Sequence, residues 1–182
     1  ESTFGFVEDV VSEGVTLFPS TDIDIGGDEA TKTEWKTCTH CQKRMRKEGL
    51  KEVDELQSYF VKRIERFINS KNRKLVGWDE ILEGGLAPDA TVMSWRGFKG
   101  GLEAAKEGHD VVMTPGDYCY VNLYQGPYDV EPIAQGGYLP LNKVYQFDPV
   151  HESMTLKEAK HVLGGQANLW SEFVSTESHS EY

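Results

Sequence analysis

The sequence predicts an α/β protein with parallel strands and helices packed outside them. Amphipathic helices alternate with short apolar strands, and most connections between them are short. Tryptophans and acids collect directly after the strands, where chemistry gathers in parallel α/β folds. The 182 residues are 38% apolar and 27% charged, a globular composition long enough for one sizeable core.

The elements follow from periodicity. From Thr3 to about Leu17, the apolar residues Phe4, Val7, Val11, Val15 and Phe18 recur every three or four positions, the mark of one helix face. Pro19-Ser20 ends that helix, and Asp22–Ile25 alternates polar and apolar as a strand does. The basic run Lys43-Arg44-Met45-Arg46-Lys47, followed by Glu48, reads as a solvated helix face. Val53 to Ser70 is the clearest helix, with Val53, Leu56, Phe60, Ile64, Phe67 and Ile68 as its buried stripe. Asn72-Arg73 then turns the chain into the short apolar run Leu75–Trp78. Thr91–Trp95 reads as the next strand, Leu102–Lys106 as a short helix ended by Gly108, and Asp110–Met113 as another strand. Thr114 to Pro149 is rich in Gly, Pro and Tyr and reads as an elaborate loop. Thr155 and Glu158 form a capping box that starts a helix running to about His161, and Val162–Leu169 is the last strand. A doubly wound open sheet and a (β/α)8 barrel both fit these five strands. A barrel takes eight strands over about 250 residues.

The net charge of −11 and sequence pI of about 4.9 argue against a nucleic-acid or anionic-membrane partner, which needs clustered Lys and Arg. No apolar run approaches the roughly 18 residues of a membrane span. The chain opens at Glu1 directly on a helical pattern, so we expect a piece of a longer protein, in which the lack of a leader here says little about location. Cys38 and Cys41 form a lone C-x-x-C. A zinc site usually takes four ligands, so a local disulfide or two free thiols is the preferred reading. Cys119 reads as a buried small residue.

The segment Asp22-Ile-Asp-Ile-Gly-Gly-Asp-Glu-Ala30 breaks its strand alternation at Gly26-Gly27 and leaves Asp28 and Glu29 side by side. In a continuing strand these neighbours would point to opposite faces. They can address one pocket if the strand has ended, and the glycines permit that turn. Two nearby carboxyls can hold different protonation states, one acid and one base. Trp78, Trp95 and Trp170 each follow a short apolar stretch and precede a polar residue. A single such Trp is ordinary core packing. Three at matching positions, beside acids, suit a sugar, whose C–H faces stack on rings and whose hydroxyls donate to carboxylates.

These residues resemble the catalytic barrel of the family 20 glycoside hydrolases, the β-N-acetylhexosaminidases. Gly26-Gly27-Asp28-Glu29 is similar to their Gly-Gly-Asp-Glu signature after barrel strand four. "VGWDEIL", "VMSWRG", "YCYVN" and "GGQANLWSE" resemble the segments around strands five to eight. The resemblance spans nearly the whole chain and favours a partial (β/α)8 barrel, strands four to eight with their helices, over the open sheet. Residues 1–182 would then be the C-terminal part of one catalytic domain, without its first three strands. The resemblance implies hydrolysis of terminal β-linked N-acetylhexosamine with no protein nucleophile, an exception among retaining glycosidases. It makes Glu29 the general acid and later base, and Asp28 the group that orients the acetamido N–H and stabilises the oxazolinium. Tyr120 would donate to the acetamido oxygen, Trp78, Trp95 and Trp170 would wall its pocket, and Glu172 and Asn122 would bind sugar hydroxyls. Asp79, Glu80 and Arg96 read as supporting ion-pair residues, and Trp35 as an outer wall or simple packing. No metal or cofactor is implied. The partners implied are N-acetylglucosamine- or N-acetylgalactosamine-containing glycans, and the location periplasmic or secreted.

The sequence departs from the family at two visible positions. Asp24 stands where the family usually has His, and Asn122 where it usually has Asp. An acid at Asp24 is expected to raise the pKa of nearby carboxylates by like-charge repulsion. Without the first strands and their sugar-clamping Arg, the isolated chain is expected to have little or no activity. The competing reading is a non-catalytic carbohydrate-binding or structural remnant of the same fold.

Overall fold

The computed structural model describes residues 2–173, which fall into two compact units divided within one strand, after Met93.

The first unit opens with α1 (Ser2–Leu17) and β1 (Asp22–Asp24). A 3-10 turn (Glu34–Lys36) leads into α2 (Thr39–Glu48), and then come α3 (Val53–Ser70), β2 (Lys74–Trp78) and the start of β3 (Thr91–Ser94). The strands are parallel. Asp22, Ile23 and Asp24 of β1 face Lys74, Leu75 and Val76 of β2, while Val76, Gly77 and Trp78 face Thr91, Val92 and Met93. Parallel strands require a long return connection, and α3 supplies it between β1 and β2. The α1 face matches its periodicity, with Phe4 and Val11 buried, but Phe18 lies beyond the helix and is exposed. Phe4 stacks on Phe60 of α3 with centroids 5.3 Å apart, and the Arg63 guanidinium sits 3.8 Å from its ring centre.

Helix α3 has the bounds its periodicity predicts, but the stripe it buries is rotated. Val61, Ile64 and Ile68 are buried, together with the polar Gln57, Ser58 and Glu65. Full burial of an Ile side chain is worth about 1.5–3 kcal/mol, so Ile64 and Ile68 anchor the helix. The polar residues are buried because each holds a loop. Gln57 Nε2 donates to the Gly27 carbonyl at 2.8 Å, Ser58 Oγ donates to the Gly85 carbonyl, and Glu65 Oε1 accepts from the Asp89 amide at 2.8 Å. Such pairing offsets the cost of burying these donors and acceptors.

The second unit takes in the end of β3, then α4 (Lys99–Glu107), β4 (Val111–Met113) and α5 (Gly116–Cys119). β5 (Leu123–Tyr124), β6 (Gln135–Tyr138) and α6 (Leu141–Val144) follow. α7 (Leu156–Ala159) and β7 (Val162–Gly165) complete the described elements. β4 and β7 are parallel, with Val111 opposite Val162 and Met113 opposite Gly165. The expected capping box is present: Thr155 Oγ1 accepts from the Glu158 amide at 3.3 Å, and Glu158 accepts from the Thr155 amide at 2.7 Å.

Three expectations are corrected here. α4 begins at Lys99 rather than Leu102, because Gly101 is needed where Met113 packs directly against the helix backbone, and a glycine pair conceals a first turn. The stretch from Thr114 to Pro149 is no single loop but carries α5, β5, β6 and α6, each of two to four residues. β7 stops at Gly165 instead of Leu169, after a register irregularity against β4. Beyond it the chain stays attached by single bonds: Gln166 donates to the Met113 carbonyl at 3.0 Å and Asn168 to that of Cys119 at 2.8 Å.

Candidate active site

In the first unit the end of β1 is built by its neighbours. The parallel ladder continues past the strand, with the Ile25 amide on the Val76 carbonyl at 3.0 Å and the Trp78 amide on the Gly26 carbonyl at 2.9 Å. The Gly26 amide donates back to Asp24 Oδ1 at 2.8 Å, and Gln57 takes the Gly27 carbonyl. Both glycines have positive φ, 71° and 96°, and a Cβ on Gly27 would sit 2.8 Å from Ile81 Cγ2. Backbone hand favours glycine at both positions, and at Gly27 space favours it as well. Glu29 follows with φ 48°, a left-handed conformation that costs a residue with a Cβ about 1–2 kcal/mol. Asp28 and Glu29 lie on a turn, both exposed. Trp78 is 7% exposed, and Asp79 and Glu80 are buried on the 3-10 turn Asp79–Leu82 that begins where β2 ends.

A cavity of about 940 Å³ in this unit opens beside Asp28, with Gly27, Trp35, Gln57, Tyr59 and Phe60 in its walls. Trp35 lines this cavity, while Glu29 lies outside the lining.

Asp24 shapes the backbone: its carboxylate holds the Gly26 amide and bends the chain out of the strand. Surrounding protein desolvates this carboxyl and raises its pKa. The Gly26 hydrogen bond opposes that rise, and the charge of Asp28 adds to it. A raised carboxyl binds its proton more tightly folded than unfolded, so its contribution to stability falls as pH rises from its ordinary value of 3.8 through the raised one. Asp24→Asn, which keeps an oxygen for the Gly26 amide, is expected to remove that fall. Chemical denaturation from about pH 3 to 7 tests it: the variant should gain on the native protein as pH rises, and parallel curves would reject the assignment.

The second unit gathers the aromatic residues. Trp95 and Tyr120 lie nearly parallel, with centroids 6.2 Å apart and 13° between planes. Trp170 meets Tyr120 edge-on at 6.0 Å and 68°. Asn168, 7% exposed, holds this group together: its carbonyl accepts from the Val121 amide at 2.9 Å, and its side chain bridges Thr114 and Gln166. Asn122 donates to Gln135 Oε1 at 2.7 Å, while its own Oδ1 is buried with no hydrogen-bond partner among the described residues. Glu172 is exposed on a turn. Gln57 and the Asp24 hydrogen bond in the first unit, and Asn168 in the second, are local supports that sequence reasoning misses. The available signal is a polar residue inside an apolar pattern: Gln57 next to Leu56, and Asn168 before Leu169.

The whole chain, residues 1–182, matches the model of the glycosyl hydrolase family 20 catalytic domain. The chain belongs to glycosyl hydrolase family 20. It is 52% identical to a β-hexosaminidase of Porphyromonas gingivalis, covering 100% of this chain and 24% of that protein. It is 32% identical to a β-hexosaminidase of Vibrio furnissii, covering 99% and 30%. Among solved structures it is similar to the family 20 exo-β-N-acetylglucosaminidase of Vibrio harveyi in complex with N-acetylglucosamine. The TM-score is 0.86 at 28% identity, over 98% of this chain and 28% of that one. A β-N-acetylhexosaminidase from Bacteroides fragilis matches with a TM-score of 0.79 at 27% identity, over 94% and 35%. The fold class is therefore α/β of the (β/α)8-barrel type those family 20 proteins carry, present here in part. The chain spans about a quarter of the length of the Porphyromonas relative.

Among the described residues, no group of three or more His, Cys, Asp or Glu is placed to hold a metal ion. No described helix is long and apolar enough to cross a membrane.

Proposed function

We propose that the protein carrying this chain hydrolyses terminal β-linked N-acetylglucosamine or N-acetylgalactosamine from oligosaccharides or glycoconjugates, with retention at the anomeric carbon. The observation that carries the reading is the Asp28–Glu29 pair, set on a left-handed turn where β1 ends and fixed there by the bonds to Gly26 and Gly27. The relatives named β-hexosaminidase, and the Vibrio harveyi structure with N-acetylglucosamine, support that substrate class.

In the proposed reaction the substrate's acetamido oxygen attacks its own anomeric carbon as the glycosidic bond breaks. Glu29 gives its proton to the leaving oxygen. Asp28 accepts the acetamido N–H and balances the positive charge of the oxazolinium. Water then attacks the anomeric carbon, Glu29 takes its proton, and the acetamido group is restored. Tyr120 donates to the acetamido oxygen, with Trp78, Trp95 and Trp170 as apolar walls and Glu172 on a sugar hydroxyl. Asn122 would bind a second sugar hydroxyl.

Proton NMR of the first-formed sugar, with the full-length protein and a β-linked chromogenic N-acetylglucosaminide, tests the proposal. The β-anomer is expected. An initial α-anomer would overturn the substrate-assisted route, and no turnover at all would favour a non-catalytic role.

A further inference from the structure

We propose that Cys38 and Cys41 form a reactive dithiol that closes to a disulfide by exchange with small-molecule disulfides, Cys38 attacking and Cys41 resolving. Cys38 occupies the N-cap of α2, with extended backbone (φ −65°, ψ 118°), beside amides that have no carbonyl partner within the helix. Cys41 stands three residues on, in the first turn, at the spacing that places two side chains side by side on one helix face. The backbone between them is fixed: the Cys38 amide donates to the Glu34 carbonyl at 2.8 Å, and the Gln42 amide to the Cys38 carbonyl at 2.9 Å. Both thiols are free and partly accessible, and Cys41 faces the cavity beside Asp28.

Electrostatics divides the roles. The nearby Cys41 and His40 amides and the Cys41 thiol draw the Cys38 thiol below its ordinary range, against opposing pushes from burial and then Glu34. Burial and the neighbouring Cys38 push Cys41 up. Cys119 is an internal control, since burial raises its thiol to about 11 and leaves it inert at neutral pH.

The exchange balances without a metal or cofactor. The Cys38 thiolate attacks one sulfur of an oxidised small thiol such as glutathione disulfide. The S–S bond breaks, one glutathione thiolate leaves, and a mixed disulfide remains on Cys38. Cys41 loses its proton to solvent and attacks the Cys38 sulfur, expelling the second glutathione thiolate. The pair is oxidised by two electrons and the glutathione disulfide is reduced by two.

The test is peptide mapping by mass spectrometry of the full-length protein, after incubation in glutathione disulfide and alkylation of the remaining thiols. The expected result is a Cys38–Cys41 disulfide with Cys119 still alkylated. In the reduced protein, a limiting pulse of iodoacetamide should label Cys38 about tenfold or more faster than Cys119. Cys41→Ser should trap a stable glutathione adduct on Cys38. Recovery of Cys38 and Cys41 both reduced, equal labelling of Cys38 and Cys119, or a first adduct on Cys41 would each overturn the proposal. The wild-type map is decisive on its own if the variant does not fold.

Discussion

Glu29→Gln in the full-length protein is expected to slow turnover of substrates with poor leaving groups by about 100- to 10,000-fold, the range for loss of a positioned general acid. Gln matches Glu in size and can occupy the same left-handed turn at φ 48°, so what is lost is the proton and not the fold. The leaving-group dependence carries the information. A sugar hydroxyl leaves poorly as an alkoxide and depends on protonation as its bond breaks. A nitrophenolate leaves unaided, so glycosylation with that substrate should fall far less. Comparing kcat/KM for a natural disaccharide and a nitrophenyl glycoside therefore tests the role and not merely the importance of Glu29. Equal losses on both substrates would assign Glu29 a different role. Circular dichroism of the variant guards against misfolding.

Much of the frame that holds Glu29 is legible in the sequence, and the exceptions have physical causes. Val53–Ser70 is legible to the residue because an 18-residue periodic segment averages over local irregularities. The Gly26-Gly27 break is legible because both positions take a backbone hand that favours glycine, and Gly27 also lies close under Ile81. The rotation of the α3 stripe is not, since it depends on three loop backbones, around Gly27, Gly85 and Asp89, that are distant in sequence. The short elements between Thr114 and Pro149 escape for a related reason. Two-residue β5 has no period to detect, and its register against β6 is fixed by tertiary contacts. The contacts of Trp95 and Trp170 with Tyr120 are not legible in the sequence, which shows only that the tryptophans follow short apolar stretches. Asp24 is legible as an unusual residue and not as a hydrogen-bond acceptor. What the sequence does not reveal is that the Asp24 carboxyl is itself pushed up, chiefly by burial.

Asp28→Asn should behave differently from Glu29→Gln, and the contrast separates two carboxylates that adjoin in sequence. The proposed role of Asp28 is to hold the acetamido N–H and to offset positive charge on the oxazolinium, and neither depends on the leaving group. A loss of about 100- to 1,000-fold in kcat is therefore expected, as for removal of one aligned electrostatic partner, and by similar factors on the disaccharide and the nitrophenyl glycoside. Asn keeps an oxygen that can still accept the N–H, so KM should change less than kcat: the charge is worth most where positive charge has developed. Asn also presents an N–H₂ group, and if its amide turns, the acetamido group loses its orientation as well. A substrate whose 2-acetamido group is replaced by hydroxyl supplies the control. The native protein should turn it over very slowly, and Asp28→Asn should lower that residual rate little, because there is no acetamido group left to orient. If Asp28→Asn instead lowered both substrates through KM alone, or reduced the 2-hydroxy substrate as severely as the acetamido one, Asp28 would be a binding or folding residue. The substrate-assisted role would then have to be withdrawn, while the acid role of Glu29 would stand on its own test.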